Sequence, residues 1–309
     1  MKEIITDMAQ ETDLDLLFNG NTVSKVMQFY DYFSEAEELM KWVRSRPVGK
    51  AEIYEVEGEN EIVVVIPTKN RFNSDSVNCA QNVFKGLKVI FVESGSDWHS
   101  FNYARNCNLG LKHALKYQPT WIILSNDDMI GIDNISKLRN GLRKIDSSLV
   151  KTVFTTPPGN YHSYLGGIGL TTKKREVIMY SSGKLKRMQL SLEKKFGINV
   201  VPAYPNWPLQ YLTSQNRFFK ITSSFGIFSG NYLRRIGGRL FDQMFLNMWE
   251  DTDISLEFSK DPNSYSYVSY SIGDKIGTSF GNTPERLLRS MVSRIYFNLK
   301  HKKEFTEKL

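Results

Sequence analysis

Three apolar runs constrain the fold of this 309-residue chain more than any other feature of its sequence. They are EIVVVIP at 61–67, KVIFVESG at 88–95 and WIILSNDD at 121–128. Each run contains at least four consecutive apolar residues, many of them β-branched or aromatic, which is typical of a strand buried on both faces. Such strands need a layer of helices on each side, and we therefore predict a mostly parallel α/β sheet.

Helical patterns separate and follow these strands. Residues 101–117 and 134–145 have the period of amphipathic helices, and VKTVFTTPP at 150–158 predicts a fourth strand. In the first helix the apolar stripe consists of Ala104, Cys107, Leu111, Ala114 and Leu115. The alternation of strands and helices supports the same parallel sheet.

The strands predicted from these runs end in polar residues, at Thr68-Lys69-Asn70-Arg71, at Glu93-Ser94 and at Asn126-Asp127-Asp128. Ligands of parallel sheets bind at the carboxyl ends of the strands, so we expect these side chains to converge on one rim. For the Asp127-Asp128 pair two interpretations stand side by side. Asn and Asp are common in solvated turns, and paired carboxylates also hold divalent cations.

The charge and cysteine content of the chain limit the classes of molecule that it is expected to bind. The net charge of +7 favours an anionic partner, such as a nucleotide, a nucleic acid or an acidic membrane surface. We find no zinc-finger spacing and no RNP-like motif, and we expect no nucleic acid. The two cysteines, Cys79 and Cys107, form no CxxC pair. With no apolar signal segment at the start of the sequence, the expectation is a cytoplasmic protein with free thiols.

The order of the motifs resembles that of a known family. PTKNR, VESGS, ARNCNLGLKHA and NDD are followed by SGNYLRRIGG, LFDQMF and WEDTDISLE. This order is similar to that of the GT-A glycosyltransferases, in particular the inverting family 2 group, over roughly residues 61–281. The resemblance implies a GT-A (Rossmann-like) fold, an α/β architecture with a mostly parallel central sheet flanked by helices.

The domain organisation follows from the same resemblance. We predict an N-terminal extension at 1–58 and a GT-A domain at 59–281. That domain would divide into a nucleotide-binding half (59–150) and an acceptor half (151–281). Residues 282–309 would form a basic amphipathic helix.

The resemblance also implies an activity, the metal-dependent, inverting transfer of a sugar from a UDP, GDP or dTDP donor to a hydroxyl of a glycan or lipid-linked glycan. Glu93 would accept a hydrogen bond from the base or ribose. The other expected nucleotide-sugar-binding residues are Pro67, Thr68, Asn70, Arg71, Arg105, Asn106, Asn126 and Asp127.

Two sets of carboxylates would perform the chemistry in such an enzyme. By resemblance, Asp128 binds Mn²⁺ or Mg²⁺ directly, and Asp127 orients the ribose or a metal-bound water. Asp274 stands where many relatives have a His and is a further candidate metal ligand; the adjacent Lys275 would meet the pyrophosphate. Asp251 would be the catalytic base and Glu250 its nearest alternative. The latter pair would equally suit the start of a helix, where acids are favoured.

Two other functions stay open at this point. A sugar-phosphate nucleotidyltransferase also uses an α/β sheet and Mg²⁺, but PTKNRFNSD lacks the glycines of its phosphate loop. A catalytically silent nucleotide- or sugar-binding module would need neither carboxylate pair.

Helices are predicted at both ends of the chain. SEAEELMKWVRSRP predicts a helix capped by Ser34 and stopped at Pro47, and residues 283–303 predict another, capped by Thr283. The second has an apolar stripe (Leu287, Leu288, Met291, Val292, Ile295, Leu299) opposite a basic face (Arg286, Arg289, Lys300). It can pack on its own protein or lie on an anionic membrane surface. Binding to a membrane surface would suit a lipid-linked acceptor, with the protein peripheral at the cytoplasmic membrane face.

Overall fold

The computed structural model describes residues 14–95, 100–155, 161–164, 167–168, 199–200, 218–221, 224–259, 261–275 and 284–301. The chain forms two compact units. The sheet unit comprises Pro47–Ser163 and Phe218–Thr278, and the helical unit comprises Met1–Arg46, Tyr164–Arg217 and Ser279–Leu309.

The strands, in chain order, are β1 (Glu52–Val56), β2 (Glu59–Thr68), β3 (Leu87–Glu93), β4 (Trp121–Ser125), β5 (Met129–Gly131), β6 (Thr152–Thr155), β7 (Tyr161–Tyr164), β8 (Gly167–Ile168), β9 (Asn199–Val200), β10 (Phe218–Ile221), β11 (Phe225–Ser229), β12 (Tyr265–Val268) and β13 (Ile272–Asp274). Seven of them form one sheet in the order β1-β3-β2-β4-β11-β6-β12. Three two-stranded pairs accompany it, β5 with β13, β7 with β10 and β8 with β9.

The large sheet is mixed but mostly parallel, as the alternation of strands and helices predicts. Strands β3, β2 and β4 run parallel, and β6 and β12 are parallel to each other. The edge strand β1 and the internal strand β11 run antiparallel to their neighbours. The predicted boundary at residue 58 therefore falls between two strands of the same sheet.

The helices are residues 14–18 (α1), α2 (Val23–Tyr32), α3 (Ala36–Ser45), α4 (Ser74–Asn78), α5 (Tyr103–Ala114), α6 (Ile135–Leu142), α7 (Gly230–Arg235), α8 (Glu250–Ser259) and α9 (Pro284–Lys300). Helix α4 continues directly into a π-helical turn, Cys79–Val83, and α5 into a 3₁₀ turn, Leu115–Tyr117.

Both faces of the sheet are buried, as the continuous apolar runs predict. In β2, Val64 and Ile66 belong to the core on one face, together with residues of α6 and the π-helical turn. Val63 and Val65 point to the other face and pack with α5, α7 and α8. The side chains alternate because successive residues of a strand project to opposite sides. The carboxyl ends of β2, β3 and β4 consequently emerge from a two-sided core.

Helix α5 lies close to the sheet because residue 110 is a glycine. A Cβ atom built at Gly110 would lie 2.3 Å from Cγ1 of Val65 and 2.8 Å from Cγ2 of Val92. We predict that Gly110→Ala destabilises the protein by about 1 to 2 kcal/mol, since overpacking outweighs the gain in helix propensity. Urea unfolding measures this. Gly131→Ala is the matched control, because its nearest neighbours, atoms of Val83, begin at 3.9 Å. A wild-type midpoint for Gly110→Ala would contradict the prediction.

The apolar stripe of α9 is buried inside the helical unit. Leu288, Met291, Val292 and Ile295 are at most 3% exposed. The prediction that Arg289 lies on an exposed basic face is wrong. Its side chain is fully buried. The guanidinium is compensated there, because it donates to Asn19, pairs with Glu285 and lies over the ring of Phe18. Membrane contact through α9 stays a prediction.

A second correction concerns the start of α3. Its N-cap is Glu35 rather than the predicted Ser34, and Glu38 closes a capping box by accepting from the Glu35 backbone. The predicted cap of α9, Thr283, lies outside the described residues. Among the helices that the structure describes, none is long and apolar enough to cross a membrane.

Candidate active site

The polar ends of β2, β3 and β4 lie side by side at one edge of the sheet, which confirms the predicted rim. These three strands are adjacent and parallel, so Thr68, Glu93 and Ser125 end them at the same edge. The backbone N–H of Ser94 donates to the carbonyl of Thr68 at 3.0 Å. Strand pairing thus fixes the relative positions of the loops that follow.

Asp127 lies at the centre of a hydrogen-bond cluster on this rim. Its Oδ2 accepts from Thr68 Oγ1 at 2.6 Å, from Ser76 Oγ at 3.4 Å and from Asn73 Nδ2 at 3.5 Å. Burial raises the pKa of Asp127 above its ordinary value, and the hydrogen bond from Thr68 opposes this shift. The charge of Asp128 raises the same pKa further. A cation at this position would relieve both unfavourable effects.

Asp128 is buried, with 5% of its surface exposed, whereas Asp127 is half-buried. The backbone of its loop is held from two sides. Cys79 Sγ donates to the carbonyl of Asp127 at 3.3 Å, and Lys275 N donates to that of Asp128 at 3.1 Å. The strand β13 pairs antiparallel with β5, and Asp274 is opposite Met129, the residue after Asp128. The pairing of β5 with β13 therefore brings the backbone of the predicted third ligand close to the Asp127-Asp128 loop.

Lys275 forms an ion pair with Asp75 in helix α4. The hydrogen bond to Asp75 raises the pKa of the Lys275 ammonium, and the charge of Asp128 acts in the same direction. The side chain is half exposed, so a cationic group stands at the border of the Asp127-Asp128 loop. It suits the predicted contact with an anionic ligand.

On the other side of Thr68, Arg71 and Glu93 form a fixed pair. Arg71 donates to Oε2 of Glu93 from its backbone N–H at 2.9 Å and from its guanidinium at 3.1 Å. The guanidinium carbon lies 3.4 Å from the ring centroid of Tyr54 and 4.2 Å from that of Phe72. Cation–π contacts on both rings hold the arginine in place.

The remaining predicted nucleotide-binding residues have varied surroundings. Pro67 is buried in β2, opposite Val92. Asn70 shapes the loop, because its backbone N–H donates to Thr68 Oγ1 and its Oδ1 accepts from the Phe72 N–H. Asn106 is 1% exposed and donates to Ser94 Oγ at 2.7 Å, so it fixes the residue that follows β3.

Arg105 makes its main side-chain contact with a backbone carbonyl in the segment before β1. Its guanidinium donates to the carbonyl of Gly49, and burial lowers its pKa. The hydrogen bond anchors the chain just before β1 to the start of α5. Nucleotide binding by Arg105 stays a prediction.

Tyr103 contacts the rim, and the charges of the second carboxylate pair influence it. Its hydroxyl donates to Asn126 Oδ1 at 3.2 Å. Burial holds the pKa of Tyr103 well above its ordinary value, and the nearby charges of Glu250 and Asp251 act in the same direction. The phenol hydroxyl therefore binds Asn126, which precedes Asp127, and lies within the electrostatic influence of Glu250 and Asp251.

Helix α8 begins with these two acids, and the segment before it is held against α5. Glu250 is 2% and Asp251 7% exposed. Asn108 exchanges two hydrogen bonds with the backbone of Phe241, and Asn102 donates to the carbonyl of Gln243. The amino end of a helix favours acidic side chains, so the expected helix start and a functional role are compatible.

The two residues before Glu250 have unusual backbones. Met248 has a φ of 67° and Trp249 a φ of 73°, a left-handed conformation that non-glycine residues seldom adopt. Such conformations cost free energy and persist where the surrounding structure enforces them, often at functional sites. Here the turn directs the chain so that Glu250 and Asp251 open the helix together.

Sequence reasoning missed several members of this site, namely Tyr54, Asn73, Ser76, Cys79 and Tyr103. Asn73 had a readable signal, because Asn followed by Ser-Asp-Ser is a typical helix start, and Asn73 Oδ1 does accept from Ser76 N. Tyr103 had none, since its partners are distant in the chain. Tyr54 belongs to β1, which falls within the predicted N-terminal extension at 1–58.

The described ranges contain no group of three or more His, Cys, Asp or Glu side chains placed to hold a metal ion. Mg²⁺ often takes only one or two protein carboxylates and completes its shell with phosphate oxygens and water. Asp128 and Asp127 are the residues that suit such a site.

No protein-family model matches the chain, and no curated protein matches it. Among solved structures, the crystal structure of A197 from STIV resembles it with 12% sequence identity and a TM-score of 0.36. The similarity covers 73% of this chain and 91% of that one. A likeness at this level does not bear on function.

Proposed function

We propose that this protein is a metal-dependent glycosyltransferase with a GT-A type fold, which transfers a sugar from a nucleotide-sugar donor to an acceptor hydroxyl with inversion. The observation that supports this most is the pairing of carboxylates. Asp127 and Asp128 follow the central strand β4, and Glu250 and Asp251 open α8. Tyr103 donates to Asn126, the residue before the first pair, and its pKa is raised by burial and by the charges of the second pair.

The first pair suits a hard divalent cation. A buried carboxylate next to a half-buried one is unfavourable unless their charge is neutralised. Asp128 would bind Mn²⁺ or Mg²⁺, and Asp127 would orient the ribose or a bound water. Among the described residues these two form no three-ligand group with Asp274, so metal binding by Asp274 stays a prediction. When bound, the cation stabilises the negative charge that the nucleoside diphosphate gains as it leaves.

The donor nucleotide would lie along the ends of β2 and β3. Thr68, Asn70 and Arg71 form the first loop, and Glu93 ends the neighbouring strand. This location at the carboxyl ends of parallel strands is where α/β sheets bind their ligands. Lys275 would contact the pyrophosphate.

The second pair would act on the acceptor. The acceptor oxygen attacks the anomeric carbon on the face opposite the diphosphate. The new C–O bond forms while the bond to the phosphate oxygen breaks, which inverts the configuration. Asp251 accepts the hydroxyl proton, and Glu250 binds the acceptor or replaces Asp251 in this role. A glycan or a lipid-linked glycan would supply the hydroxyl.

A thermal-shift panel tests the proposal. A ligand that binds only the folded state stabilises it by about 2.7 kcal/mol at a hundred times its dissociation constant. We expect UDP, GDP or dTDP to raise the melting temperature with Mn²⁺ and to have little effect in EDTA. If no nucleotide raises the melting temperature of the folded protein, the Asp pair is only a solvated polar turn. Binding without release of nucleoside diphosphate from any donor sugar would favour a silent binding module.

A further inference from the structure

We infer that the Lys275 ammonium acts as a built-in counter-ion of the Asp127-Asp128 loop, which keeps a divalent cation weakly bound until a diphosphate binds with it. The inference rests on the proposed function, because it assumes that this loop binds a cation and a diphosphate. It goes further, because it makes the binding of the cation conditional on the second ligand and assigns that condition to one side chain.

Three carboxylates bear on this loop. Asp127 and Asp128 belong to it, and Asp75 lies in the first turn of α4. Burial is the main cause of the raised pKa of the Cys79 thiol, and the charges of these three acids act in the same direction. Their negative charges therefore add up around one point, where a cation is favourable.

Lys275 supplies such a cation from the protein itself. Its ammonium forms an ion pair with Asp75, and its backbone N–H donates to the carbonyl of Asp128 at 3.1 Å. The hydrogen bond to Asp75 raises the pKa of the ammonium, and the charge of Asp128 acts in the same direction. The backbone bond anchors the residue beside the loop, whereas its side chain is 47% exposed and is accessible to a ligand.

A divalent cation that binds without a nucleotide meets two disadvantages at this loop. Among the described residues, no three His, Cys, Asp or Glu side chains are placed to hold a metal ion. The cation would have to complete its shell with water. It would also share the loop with the ammonium of Lys275, and like charges repel. We therefore expect the cation alone to bind weakly.

A diphosphate removes both disadvantages. Its oxygens complete the shell of the cation, and they also accept hydrogen bonds from the Lys275 ammonium, which then exchanges Asp75 for a phosphate. The negative charge of the diphosphate lies between the two cations and offsets their repulsion. The cation and the nucleotide should consequently bind with positive coupling, in which each raises the affinity of the other by the same factor.

Titration of the protein with Mn²⁺, followed by the paramagnetic resonance signal of the free ion, tests the inference. Saturating UDP, GDP or dTDP should raise the Mn²⁺ affinity of the wild type by at least about tenfold. In Lys275→Met, Mn²⁺ alone should bind about five- to tenfold more tightly, because the repulsion is removed. The nucleotide with Mn²⁺ should bind about tenfold less tightly or worse, because a charge-assisted hydrogen bond is lost. A merely structural role of Lys275 would not move the two affinities in opposite directions.

Two variants control for the charge and for the ion pair. Lys275→Arg keeps the charge and should bind Mn²⁺ alone as the wild type does. Lys137→Met is the matched control, because Lys137 is 49% exposed and pairs with Asp133 at 2.8 Å, and its substitution should change neither affinity.

If Lys275→Met binds Mn²⁺ alone no more tightly than the wild type, the inference is overturned. Equal affinity of the wild type for Mn²⁺ with and without nucleotide would also overturn it. Nucleotide binding that still requires Mn²⁺ would leave the proposed function intact in the first case. The absence of any nucleotide binding, with or without Mn²⁺, would remove both the inference and the proposed function.

Discussion

Asp128→Asn should abolish Mn²⁺-dependent nucleotide binding and lower the transfer rate by at least about a thousandfold, or about 4 kcal/mol. The substitution keeps the shape of the side chain but removes the charge that a hard cation requires. Calorimetry with the preferred nucleotide, with and without Mn²⁺, measures the first effect. Release of nucleoside diphosphate from a donor sugar measures the second.

The same variant should not be less stable than the wild type in the absence of metal. The charge of Asp128 raises the pKa of the half-buried Asp127, so its removal eases the ionisation of that neighbour. Asp146→Asn is the control, since Asp146 caps an exposed turn through Ser148 and is remote in sequence from both carboxylate pairs. Metal-dependent binding that survives in Asp128→Asn would refute the assignment of the ligand.

Asp251→Asn should separate binding from chemistry. We expect kcat to fall by about a hundredfold to ten thousandfold, because the proton of the acceptor hydroxyl loses its base. Affinity for the nucleotide with Mn²⁺ should stay within about threefold, since the proposed donor site is at the other carboxylate pair. A steady-state transfer assay beside calorimetry distinguishes the two effects.

Two further variants assign the base. Glu250→Gln should raise the KM for the acceptor more than it lowers kcat if Glu250 binds the acceptor, and the reverse pattern would make it the base. Asp253→Asn removes another buried acid from the first turn of α8 and so controls for the electrostatics of the helix start. If Asp253→Asn and Asp251→Asn lower kcat equally, neither is the specific base.

The sequence predicted the part of the fold that depends on local pattern. The runs at 61–67, 88–95 and 121–125 correspond to β2, β3 and β4, whose polar ends do meet. This succeeded because a strand buried on both faces has to be apolar throughout, and parallel neighbours have to end at one edge.

The sequence did not predict features that depend on distant partners. The strand β1 is short and charged, with Glu52 and Glu55 in its five residues, and only its pairing with β3 makes it a strand. The insertion of β11 between β4 and β6 follows from chain path rather than composition. Arg289 is buried for the same reason, since Asn19 and Phe18 compensate it from another part of the chain.

At the candidate site, too, the residues with a local sequence signal were predicted and those that depend on distant partners were not. The NDD stretch stood out in the sequence because two acids ended an apolar run. Tyr103 and Tyr54 did not, because an isolated tyrosine in an amphipathic helix or an edge strand fits ordinary packing equally well. Their importance becomes visible only through Asn126 and Arg71, which the fold brings to them.

The hydrogen bond from Cys79 to the Asp127 carbonyl gives this loop a natural reporter of its own opening. Burial raises the pKa of the Cys79 thiol to about 12, so the closed state contains almost no thiolate for an alkylating reagent to attack. Labelling then proceeds only through molecules in which the thiol has left the carbonyl. The rate of alkylation is therefore proportional to the population of molecules with an open loop. Any ligand that binds only the closed loop will slow alkylation in proportion to its occupancy.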